Sequence, residues 1–506
     1  MSQRTDHTPS DAQAPTTSGT FASLDPRTGA VLAEYPVHDA EHVAAAVARA
    51  RDAAIWWADL GFDGRKKWLQ KWKSAIASDA RSLAAVISAE TGKPIDDAIL
   101  EIMLAVEHLD WASKNAGKVL KRRKVPSGMV SANQESTLGY EPYGVVGVIG
   151  PWNYPIYTPM GSISYALAAG NAIVFKPSEL TPGVAVWLAD KWNSLVPNQP
   201  VLQVVTGLGA TGGALVAAGV DKVAFTGSGP TARKVMEACA KTLTPLVAEC
   251  GGKDAMLVAA DADLDAAVDF AVFGGMGNAG QTCAGVERIF VADEVYDPFV
   301  RKLTEQASRL RTGGGTGDSY GPMTLDRQNE VVRGQVEDAL DRGARAVLGG
   351  RESVRHPYIE PVILGDVPED STAMTEETFG PIVAVNRMRD LDDGVDKANR
   401  SSYGLGASIF SKDRARALAA AERLRTGMVS INSVLGFAGV PSLPFGGVGE
   451  SGFGRIHGAD GLREFSRPKA VTRQKFRAPL NLLTMERKGR DMKIAEWLLR
   501  TMHGRD

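Results

Sequence analysis

Apolar residues recur every three to four positions through residues 40–118, which is the spacing of amphipathic helices. Asp39 stands directly before this pattern, where it can cap the first helix, and the "TGKP" segment at 91–94 is typical of a helix end. The sequence therefore predicts a helical region, preceded at 1–20 by a polar tail rich in Pro, Ser and Thr. This tail is expected to be disordered because it has too little apolar surface to bury.

From residue 144 the pattern changes to short, continuous apolar runs that end in Gly, Pro or Ser and are mostly separated by helix-length segments. Such runs are typical of parallel strands that helices cover on both faces of a sheet. One series of runs follows another, so we expect two α/β domains. The runs are 144–150, 172–178, 201–207, 222–229 and 245–252, and then 255–260, 287–292, 344–350, 381–388, 405–410 and 427–432.

Residues 142–175 contain no charged side chain and are numerous enough to cross a bilayer. Five prolines and glycines interrupt this segment, and a lipid-exposed helix would leave backbone groups unpaired at each of them. We therefore interpret the segment as a buried strand, a loop, a buried helix and a second strand. The interrupting residues are Pro151, Pro155, Pro159, Gly161 and Gly170.

Two further segments stand apart from the α/β pattern. Residues 127–142 lack a helical period and are predicted to form an inserted hairpin arm, with a strand near residue 472 as its partner. Beyond residue 480, four apolar residues share one helical face among several Lys and Arg: Ile494, Trp497, Leu498 and Met502. The short apolar face favours packing against the protein or another subunit, and peripheral contact with a membrane is the alternative.

Charge and cysteine content exclude several classes of protein. The formal net charge is -2, which gives no electrostatic reason to expect a nucleic-acid partner. Three cysteines, Cys239, Cys250 and Cys283, are too few and odd in number for a disulfide framework and suit a reducing cytoplasm. No cysteine or histidine cluster has the spacing of zinc ligands, so no metal site is predicted.

Several motifs carry candidate chemistry. A Gly-rich turn at 225–235 fits the G-x-G-x-x-G/A pattern that admits a phosphate to a helix N-terminus, and Glu249 follows at a distance that would suit a ribose contact. Asn153 in "PWNYP" either shapes a turn or supplies a rigid amide donor. The Lys and Glu of "KPSE" (176–179) are either a solvated pair or contacts to ribose hydroxyls.

Glu249 and Cys283 each have two interpretations from local sequence. Glu249 ends an apolar strand, where burial would raise its pKa and make it a base, or it lies at an edge in water. Cys283 lies among small residues in "AGQTCAG" that leave it accessible to a reactant. Taken by itself, this stretch favours a buried filler over a nucleophile.

Seven motifs taken together resemble the NAD(P)-dependent aldehyde dehydrogenase superfamily over residues 22–478. They occur in that family's order: "PWNYP", "KPSE", "FTGSG", "E-x-GGK", "GQTC", "EETFGPI" and "PFGGVGESGFGR". The resemblance implies two doubly wound parallel-sheet domains, one of them Rossmann-like, and a small β oligomerisation arm. The implied parts are a tail at 1–20, an NAD-binding domain at 21–126 and 143–249, a catalytic domain at 250–466, the arm at 127–142 and 467–480, and a C-terminal helical extension at 481–506.

The resemblance also implies the catalytic roles. Cys283 matches the nucleophile that forms a thiohemiacetal with the aldehyde, and Asn153 matches the side-chain donor of the oxyanion hole. Glu249 matches the base that activates water to hydrolyse the thioester, which replaces the ribose interpretation. The presence of Glu249 favours hydrolysis over transfer of the acyl group to coenzyme A.

Cofactor contacts follow from the same comparison. Glu179 and Lys176 match residues at the adenine ribose, Ser228 matches a pyrophosphate contact, and Glu377 and Phe379 match residues near the nicotinamide. Because Glu179 would repel a 2′-phosphate, NAD is expected as the cofactor in preference to NADP. The remaining expected cofactor residues are Trp152, Ser178, Gly227 and Gly251.

The expected substrate pocket is apolar and aromatic. Tyr154, Tyr157 and Phe445 would line it, Thr282 lies beside the nucleophile, and Gly161 stands where several members carry a bulky side chain. No Arg or Lys is expected near these positions to bind a substrate carboxylate. We therefore expect a hydrophobic aldehyde, aromatic or medium to long aliphatic, with a semialdehyde such as succinic semialdehyde as the alternative.

The combined expectation is a cytoplasmic, NAD-dependent aldehyde dehydrogenase that acts on a small-molecule aldehyde as a homodimer or homotetramer. A cysteine hydrolase would need a His partner for Cys283, and no His lies in a recognisable motif with it. A non-catalytic protein on the same fold would be favoured by loss of Cys283, Glu249 or Asn153, and all three are present.

Overall fold

The computed structural model of the chain describes residues 19–196, 198–315, 317–480 and 482–504. The chain divides into two compact units: the larger runs to Val119 and resumes over Pro142–Ser466, and the smaller takes Leu120–Glu141 and Arg467 onward. The predicted disordered tail at 1–20 lies outside the described residues except for its last two. Thr20, the last of them, already belongs to a strand.

The larger unit begins with an antiparallel hairpin, β1 (Thr20–Leu24) and β2 (Val31–Pro36), that the apolar pattern did not predict. Most residues of β2 are half-buried or exposed, so this strand has no continuous core face to signal it. Four helices then follow at the positions the helical period predicted, and the Asp39 carboxylate caps the first by accepting the His42 N–H at 2.9 Å. They are α1 (Ala40–Asp59), α2 (Gly61–Ser78), α3 (Ala80–Thr91) and α4 (Ile95–Leu120).

The first strands of the smaller unit come next in the chain; the second of them lies in the segment 127–142 predicted to be an arm, and the first precedes that segment. β3 (Arg123–Val125) and β4 (Gln134–Pro142) pair in antiparallel fashion. The pairing places Arg123 opposite Leu138.

A sheet of six strands follows in the larger unit. Five of its strands are parallel and lie in the spatial order β9-β8-β5-β6-β7. They are β5 (Val145–Ile149), β6 (Ala172–Lys176), β7 (Leu202–Val204), β8 (Lys222–Thr226) and β9 (Leu246–Glu249). The intervening helices are α5 (Tyr157–Ala169), α6 (Pro182–Leu195), α7 (Gly209–Ala217) and α8 (Gly229–Ala240).

A second sheet, of seven strands, has the order β12-β15-β16-β11-β10-β17-β18 and is parallel except that β12 runs antiparallel to β15. Its strands, with the separate hairpin β13-β14, are β10 (Asp254–Val258), β11 (Val286–Ala292), β12 (Arg345–Leu348), β13 (Val354–Arg355), β14 (Tyr358–Ile359), β15 (Val362–Gly365), β16 (Ile382–Met388), β17 (Gly406–Phe410) and β18 (Met428–Ile431). The helices are α9 (Leu264–Met276), α10 (Tyr296–Ala307), α11 (Arg327–Asp341), α12 (Thr372–Thr375), α13 (Leu391–Ala398) and α14 (Arg414–Arg423).

The last elements return to earlier parts of the chain. β19 (Gly452–Phe453) completes the six-stranded sheet antiparallel to β9, and α15 (Gly458–Glu464) follows. In the smaller unit, β20 (Ser466–Gln474) lies beside β4 in a three-stranded sheet of order β20-β4-β3. The helix α16 (Gly489–His503) has no buried residue.

The predicted fold class is confirmed: the chain is α/β, with each apolar run of both series forming a strand. Both sheets are mainly parallel, as predicted, and each also has one antiparallel strand that the prediction did not include, β12 in one sheet and β19 in the other. The domain boundaries and the oligomerisation role of the arm remain predictions. In the described part of the chain, no helix combines the length and apolarity that crossing a bilayer requires.

Candidate active site

A cavity of about 330 Å³ lies in the larger unit and gathers residues that are far apart in the sequence. Glu249 reaches it from the carboxyl end of β9, and Cys283 from the loop that follows α9. Ligands of parallel α/β sheets bind at such carboxyl ends, because the loops that follow the strands converge there.

The loop that carries Cys283 is sharply turned. After α9 ends at Met276, Asn278 and Ala279 adopt φ angles of 54° and 56°, a left-handed conformation that non-glycine residues rarely take. A strained turn of this kind is typical of functional sites. Of the three cysteines, Cys283 alone is partly exposed, while Cys239 and Cys250 are buried.

The thiol of Cys283 is strongly influenced by its surroundings. Burial raises its pKa to about 12, and the nearby carboxylates of Glu377, Asp254 and Glu249 act in the same direction. Without a base, the thiol is therefore protonated at neutral pH. Since the thiolate is the nucleophile, this site needs a group that accepts the proton.

The Asn153 side chain is held against the Cys283 loop. Its Nδ2 donates to the Gln281 carbonyl at 2.9 Å, and Asn278 Nδ2 donates to the Asn153 carbonyl at 3.1 Å. An amide NH₂ group has two hydrogens, so one fixes the side chain and the second can be donated to a substrate oxygen. This arrangement suits an oxyanion-hole donor.

Glu249 is buried in the cavity wall. Neither of its carboxylate oxygens has a hydrogen-bond partner among the described residues. Burial raises the pKa of Glu249 well above its usual range, although the charge of Arg455 partly opposes this. An unpaired buried carboxyl group is costly to the folded state and is typical of a catalytic acid or base.

The start of α8 forms a candidate phosphate site. Ser228 occupies the position before the helix, and its side chain makes no capping hydrogen bond to the helix backbone. The first-turn N–H groups are therefore available to an anion. A Cβ added at Gly229 would lie 3.6 Å from Arg233 Nη1, so the guanidinium of Arg233 lies beside this end of the helix.

The residues expected at the adenine ribose lie at the end of β6. Lys176 is buried, and its Nζ donates to the Pro177 carbonyl and lies 3.8 Å from Glu179 Oε2. Burial lowers the pKa of Lys176. Ser178 is also buried, whereas the Glu179 side chain is 47% exposed and can accept hydrogen bonds from two ribose hydroxyls. This donor and acceptor set fits a nucleotide ribose.

The residues expected near the nicotinamide also come together. A Cβ at Gly251 would lie 1.9 Å from Glu377 Oε1, so only glycine fits beside this carboxyl group, whose pKa burial raises to about 8. Phe379 has a φ of 51°, and its ring lies nearly perpendicular to that of Trp152 at 5.4 Å. Gly227, below the phosphate site, donates its N–H to the Glu249 carbonyl at 3.1 Å.

Sequence reasoning missed the buried pair that holds the Phe379 turn. The Glu287 carboxylate accepts the N–H groups of Thr378 and Phe379 at 2.9 and 3.0 Å. Lys253 Nζ donates to Glu287 at 2.6 Å and to the Thr378 hydroxyl at 2.9 Å. The signal was present, because Glu287 begins an apolar strand run and Lys253 belongs to the "GGK" motif.

Four of the five expected pocket residues line the cavity. They are Tyr154, Tyr157, Thr282 and Phe445. Tyr154 Oη and the Thr282 hydroxyl lie 2.9 Å apart, and Tyr157 donates to the Ala438 carbonyl at 2.9 Å. These hydrogen bonds fix the two rings and leave their apolar faces to the cavity.

Gly161 does not line the cavity; it is buried in α5 beneath His457. A Cβ at Gly161 would lie 2.5 Å from His457 Nε2, so the absence of a side chain makes room for the imidazole. His457 does line the cavity, neither of its ring nitrogens has a partner among the described residues, and burial lowers its pKa well below the usual range. No sequence signal identified this histidine.

The expectation that no Lys lies near the pocket is wrong, because Lys93 lines the cavity. Its Nζ donates to Glu101 Oε2 and to the Asn153 carbonyl, both at 2.8 Å, and lies 4.3 Å from the centre of the Tyr154 ring. The charge of Lys93 is thus already compensated. Asp97 also lines the cavity, so carboxylates outnumber cations around it.

Comparison with known proteins agrees with this geometry. The model of the family described as "Aldehyde dehydrogenase family" matches residues 13–471. The chain is 37% identical to 4,4'-diapolycopene aldehyde oxidase of Methylomonas sp over 91% of this chain and 87% of that protein. A second relative, from Mycobacterium ulcerans, carries the name of an NADP(+)-linked succinate-semialdehyde dehydrogenase, given there as a provisional assignment. The two chains are 34% identical over 88% of this chain and 86% of the relative.

Solved structures agree as well. The crystal structure of lactaldehyde dehydrogenase from Escherichia coli superimposes with a TM-score of 0.86 at 31% identity, covering 90% of this chain and 96% of that one. Family members use NAD or NADP to oxidise aldehydes. The chain belongs to the aldehyde dehydrogenase family of oxidoreductases.

Proposed function

We propose that the protein oxidises a hydrophobic aldehyde to the carboxylic acid with NAD and releases the acid by hydrolysis. The observation that carries the proposal is that Cys283 and Glu249 line one cavity, while the Asn153 side chain is bonded to Gln281, two residues before Cys283. Cys283 is a nucleophile that needs a base, Glu249 is an unpaired carboxyl group with a raised pKa, and Asn153 is an oriented amide donor.

The chemistry divides among these three residues. The Cys283 thiol loses its proton to solvent, and the thiolate adds to the aldehyde carbon to give a thiohemiacetal. The Asn153 Nδ2–H and the Cys283 backbone N–H donate to the oxygen that becomes negative. Bound NAD would supply the hydride acceptor that the conversion of the thiohemiacetal to a thioester requires. Glu249 then takes a proton from water, which displaces the thiolate and releases the acid.

Two variants test this division of roles. Cys283→Ala should abolish NADH formation, because no covalent adduct can form. Glu249→Gln should leave an initial burst of about one NADH per site followed by slow turnover, because thioester hydrolysis becomes limiting. Cys239→Ala, at a buried thiol outside the cavity, is the matched control. A full steady rate in the Glu249 variant would remove this residue from its assigned role.

The hydrophobic substrate rests on the cavity lining. Tyr154, Tyr157 and Phe445 present aromatic surface, the Lys93 charge is paired, and Asp97 would repel a substrate carboxylate. The relative named as a 4,4'-diapolycopene aldehyde oxidase supports this class, and the relative named for succinate semialdehyde supports the alternative. Measuring kcat/KM for benzaldehyde, decanal and succinic semialdehyde distinguishes the two substrate classes. The highest value for the semialdehyde would overturn the hydrophobic assignment.

The preference for NAD rests on Glu179. Its half-exposed carboxylate can accept hydrogen bonds from both ribose hydroxyls and would repel the 2′-phosphate of NADP. The relative named as NADP(+)-linked argues for the other cofactor, so kcat/KM has to be measured with both. A higher value with NADP would contradict the proposal.

We also propose a cytoplasmic homodimer or homotetramer that assembles through the β3-β4-β20 arm. The three cysteines are free, as a reducing compartment requires. The exposed helix α16 presents Ile494 and Trp497 beside Lys493 and Arg500, which suits an anionic membrane surface, with a second subunit as the alternative. Co-sedimentation with phosphatidylglycerol vesicles, against phosphatidylcholine vesicles and a chain ending at residue 480, separates the two.

A further inference from the structure

A buried ion pair lies next to the candidate oxyanion donor. Lys93 follows α3 and Glu101 lies in the first part of α4, and their side chains meet at 2.8 Å with each only 1% exposed. The roles proposed above for Cys283, Asn153 and Glu249 do not use this pair. A buried ion pair contributes little net stability, so its presence calls for another explanation.

Both partners contact the same short segment of chain, at its two ends. Lys93 Nζ donates to the Asn153 carbonyl at 2.8 Å. Glu101 Oε1 accepts the N–H groups of Ile156 and Tyr157 at 2.9 and 3.1 Å. The pair therefore holds residues 153–157 from both sides, at the turn that leads into α5.

The same segment is tied to the loop of the nucleophile. Asn278 Nδ2 donates to the Asn153 carbonyl at 3.1 Å and to the Gln281 carbonyl at 3.2 Å. The Asn153 side chain donates to the Gln281 carbonyl as well, at 2.9 Å. The Asn153 carbonyl thus receives one donor from Lys93 and one from the Cys283 loop, which fixes the peptide from which the amide side chain extends.

We propose that Lys93 and Glu101 are positioning residues that aim the Asn153 amide at the oxygen of the reacting aldehyde. The inference rests on the proposed function, in which Asn153 donates to that oxygen. A hydrogen bond to a developing oxyanion depends on fixed geometry, so a small rotation of the 153–157 segment weakens it. The ammonium and carboxylate act on the backbone, whereas Asn153 itself contacts the substrate.

The test is a double-mutant cycle. The paired substitution Lys93→Met with Glu101→Gln removes both charges together, so that no single buried charge is left, and Gln still offers an oxygen to Ile156 and Tyr157. We expect kcat to fall about tenfold with KM for NAD unchanged. In an Asn153→Ala background the same substitution should have almost no further effect, because the group being aimed is absent.

Lys73→Met with Asp110→Asn is the matched control. This ion pair, at 2.6 Å, also joins α4 to a neighbouring helix but does not contact residues 153–157. It should leave kcat unchanged. If the paired Lys93 variant does not fold, as judged by thermal unfolding, Lys93→Arg with Glu101→Asp, which keeps both charges and changes the two side-chain lengths, is carried through the same cycle.

The outcomes separate the inference from the function on which it rests. The positioning role would be overturned if the paired substitution lowered kcat equally with Asn153 present and in the Asn153→Ala background. It would also be overturned by no loss in either background while Asn153→Ala itself costs activity. Full activity of the Asn153→Ala variant would instead overturn the proposed role of Asn153.

Discussion

The Asn153 side chain donates a hydrogen bond to the carbonyl of Gln281, two residues before the nucleophile, at 2.9 Å. This contact links the turn before α5 to the loop after α9 and sets where the second amide hydrogen points. In the proposed mechanism, the position of the Asn153 amide relative to Cys283 is therefore set by two loops that hydrogen bonds hold together.

Removing the Asn153 amide should impair chemistry and spare binding. We expect Asn153→Ala to lower kcat about 100-fold or more, since loss of one oxyanion donor has that effect in other enzymes. KM for NAD and the rate of Cys283 alkylation by iodoacetamide should stay within twofold, because neither needs an oxyanion. Steady-state kinetics and peptide mass spectrometry measure the two, and a large loss of alkylation would show instead that the cysteine loop has collapsed.

The pH dependence of Cys283 follows from its raised pKa. Because burial and three carboxylates raise this pKa to about 12, the thiolate fraction without cofactor should increase about tenfold per pH unit from pH 7 to 9.5. The alkylation rate should rise in parallel. Glu377, whose own pKa is about 8, is ionised mainly above that pH, so Glu377→Gln should increase the rate above pH 8 and change it little at pH 7. A plateau below pH 8 would contradict the prediction.

Substitution of Glu179 should change cofactor preference. Glu179→Gln keeps the side-chain size and removes the charge that repels a 2′-phosphate, so KM for NADP should fall about tenfold while KM for NAD rises a few-fold. Glu422→Gln, at an exposed glutamate in α14, is the control and should change neither value. An unchanged KM for NADP in the Glu179 variant would count against this role.

The space beneath His457 should not tolerate a side chain at position 161. In Gly161→Ala the new Cβ would meet His457 Nε2 at 2.5 Å, so the imidazole must move into the cavity. Such overpacking typically costs about 1–3 kcal/mol of unfolding free energy, and kcat/KM for decanal should fall more than that for benzaldehyde.

Gly213→Ala serves as the control for that variant. Gly213 lies in α7, and a Cβ there meets no atom within 4 Å. It should stabilise the protein by about 0.5–1 kcal/mol through the helical preference of Ala. Chemical denaturation measures both variants, and equal effects of the two would rule out the steric explanation.

Asp97 should help to exclude anionic substrates. It is half-buried in the cavity lining, and burial raises its pKa, with Lys93 acting in the opposite direction. Asp97→Asn should raise kcat/KM for succinic semialdehyde several-fold and leave that for benzaldehyde unchanged, because only the anionic substrate experiences the repulsion. Asp96→Asn, at the exposed neighbouring position, is the control. Equal changes for both aldehydes would show a general effect on the pocket.

Periodicity along the sequence was enough to predict most of the fold. The helical period over 40–118 and the apolar runs of two sheets are local properties, because a helix or buried strand shows its pattern within its own residues. The strands β12 and β19 ran against the parallel expectation, since strand direction at a sheet edge depends on connections that apolarity does not encode. The hairpin β1-β2 was missed because it has little buried face.

The sequence by itself determined the family and the identities of the candidate catalytic residues, because the order of the motifs can be read along the chain without knowledge of the fold. Tertiary structure alone decided the electrostatics of the site. Lys93 and Asn153 are 60 residues apart in the chain, and only the fold brings them to 2.8 Å, where the lysine charge is paired and cannot serve a substrate. His457 filling the space above Gly161 is equally invisible in the sequence. Burial, pairing and the resulting pKa values depend on neighbours in space, and these come from the packing of distant segments.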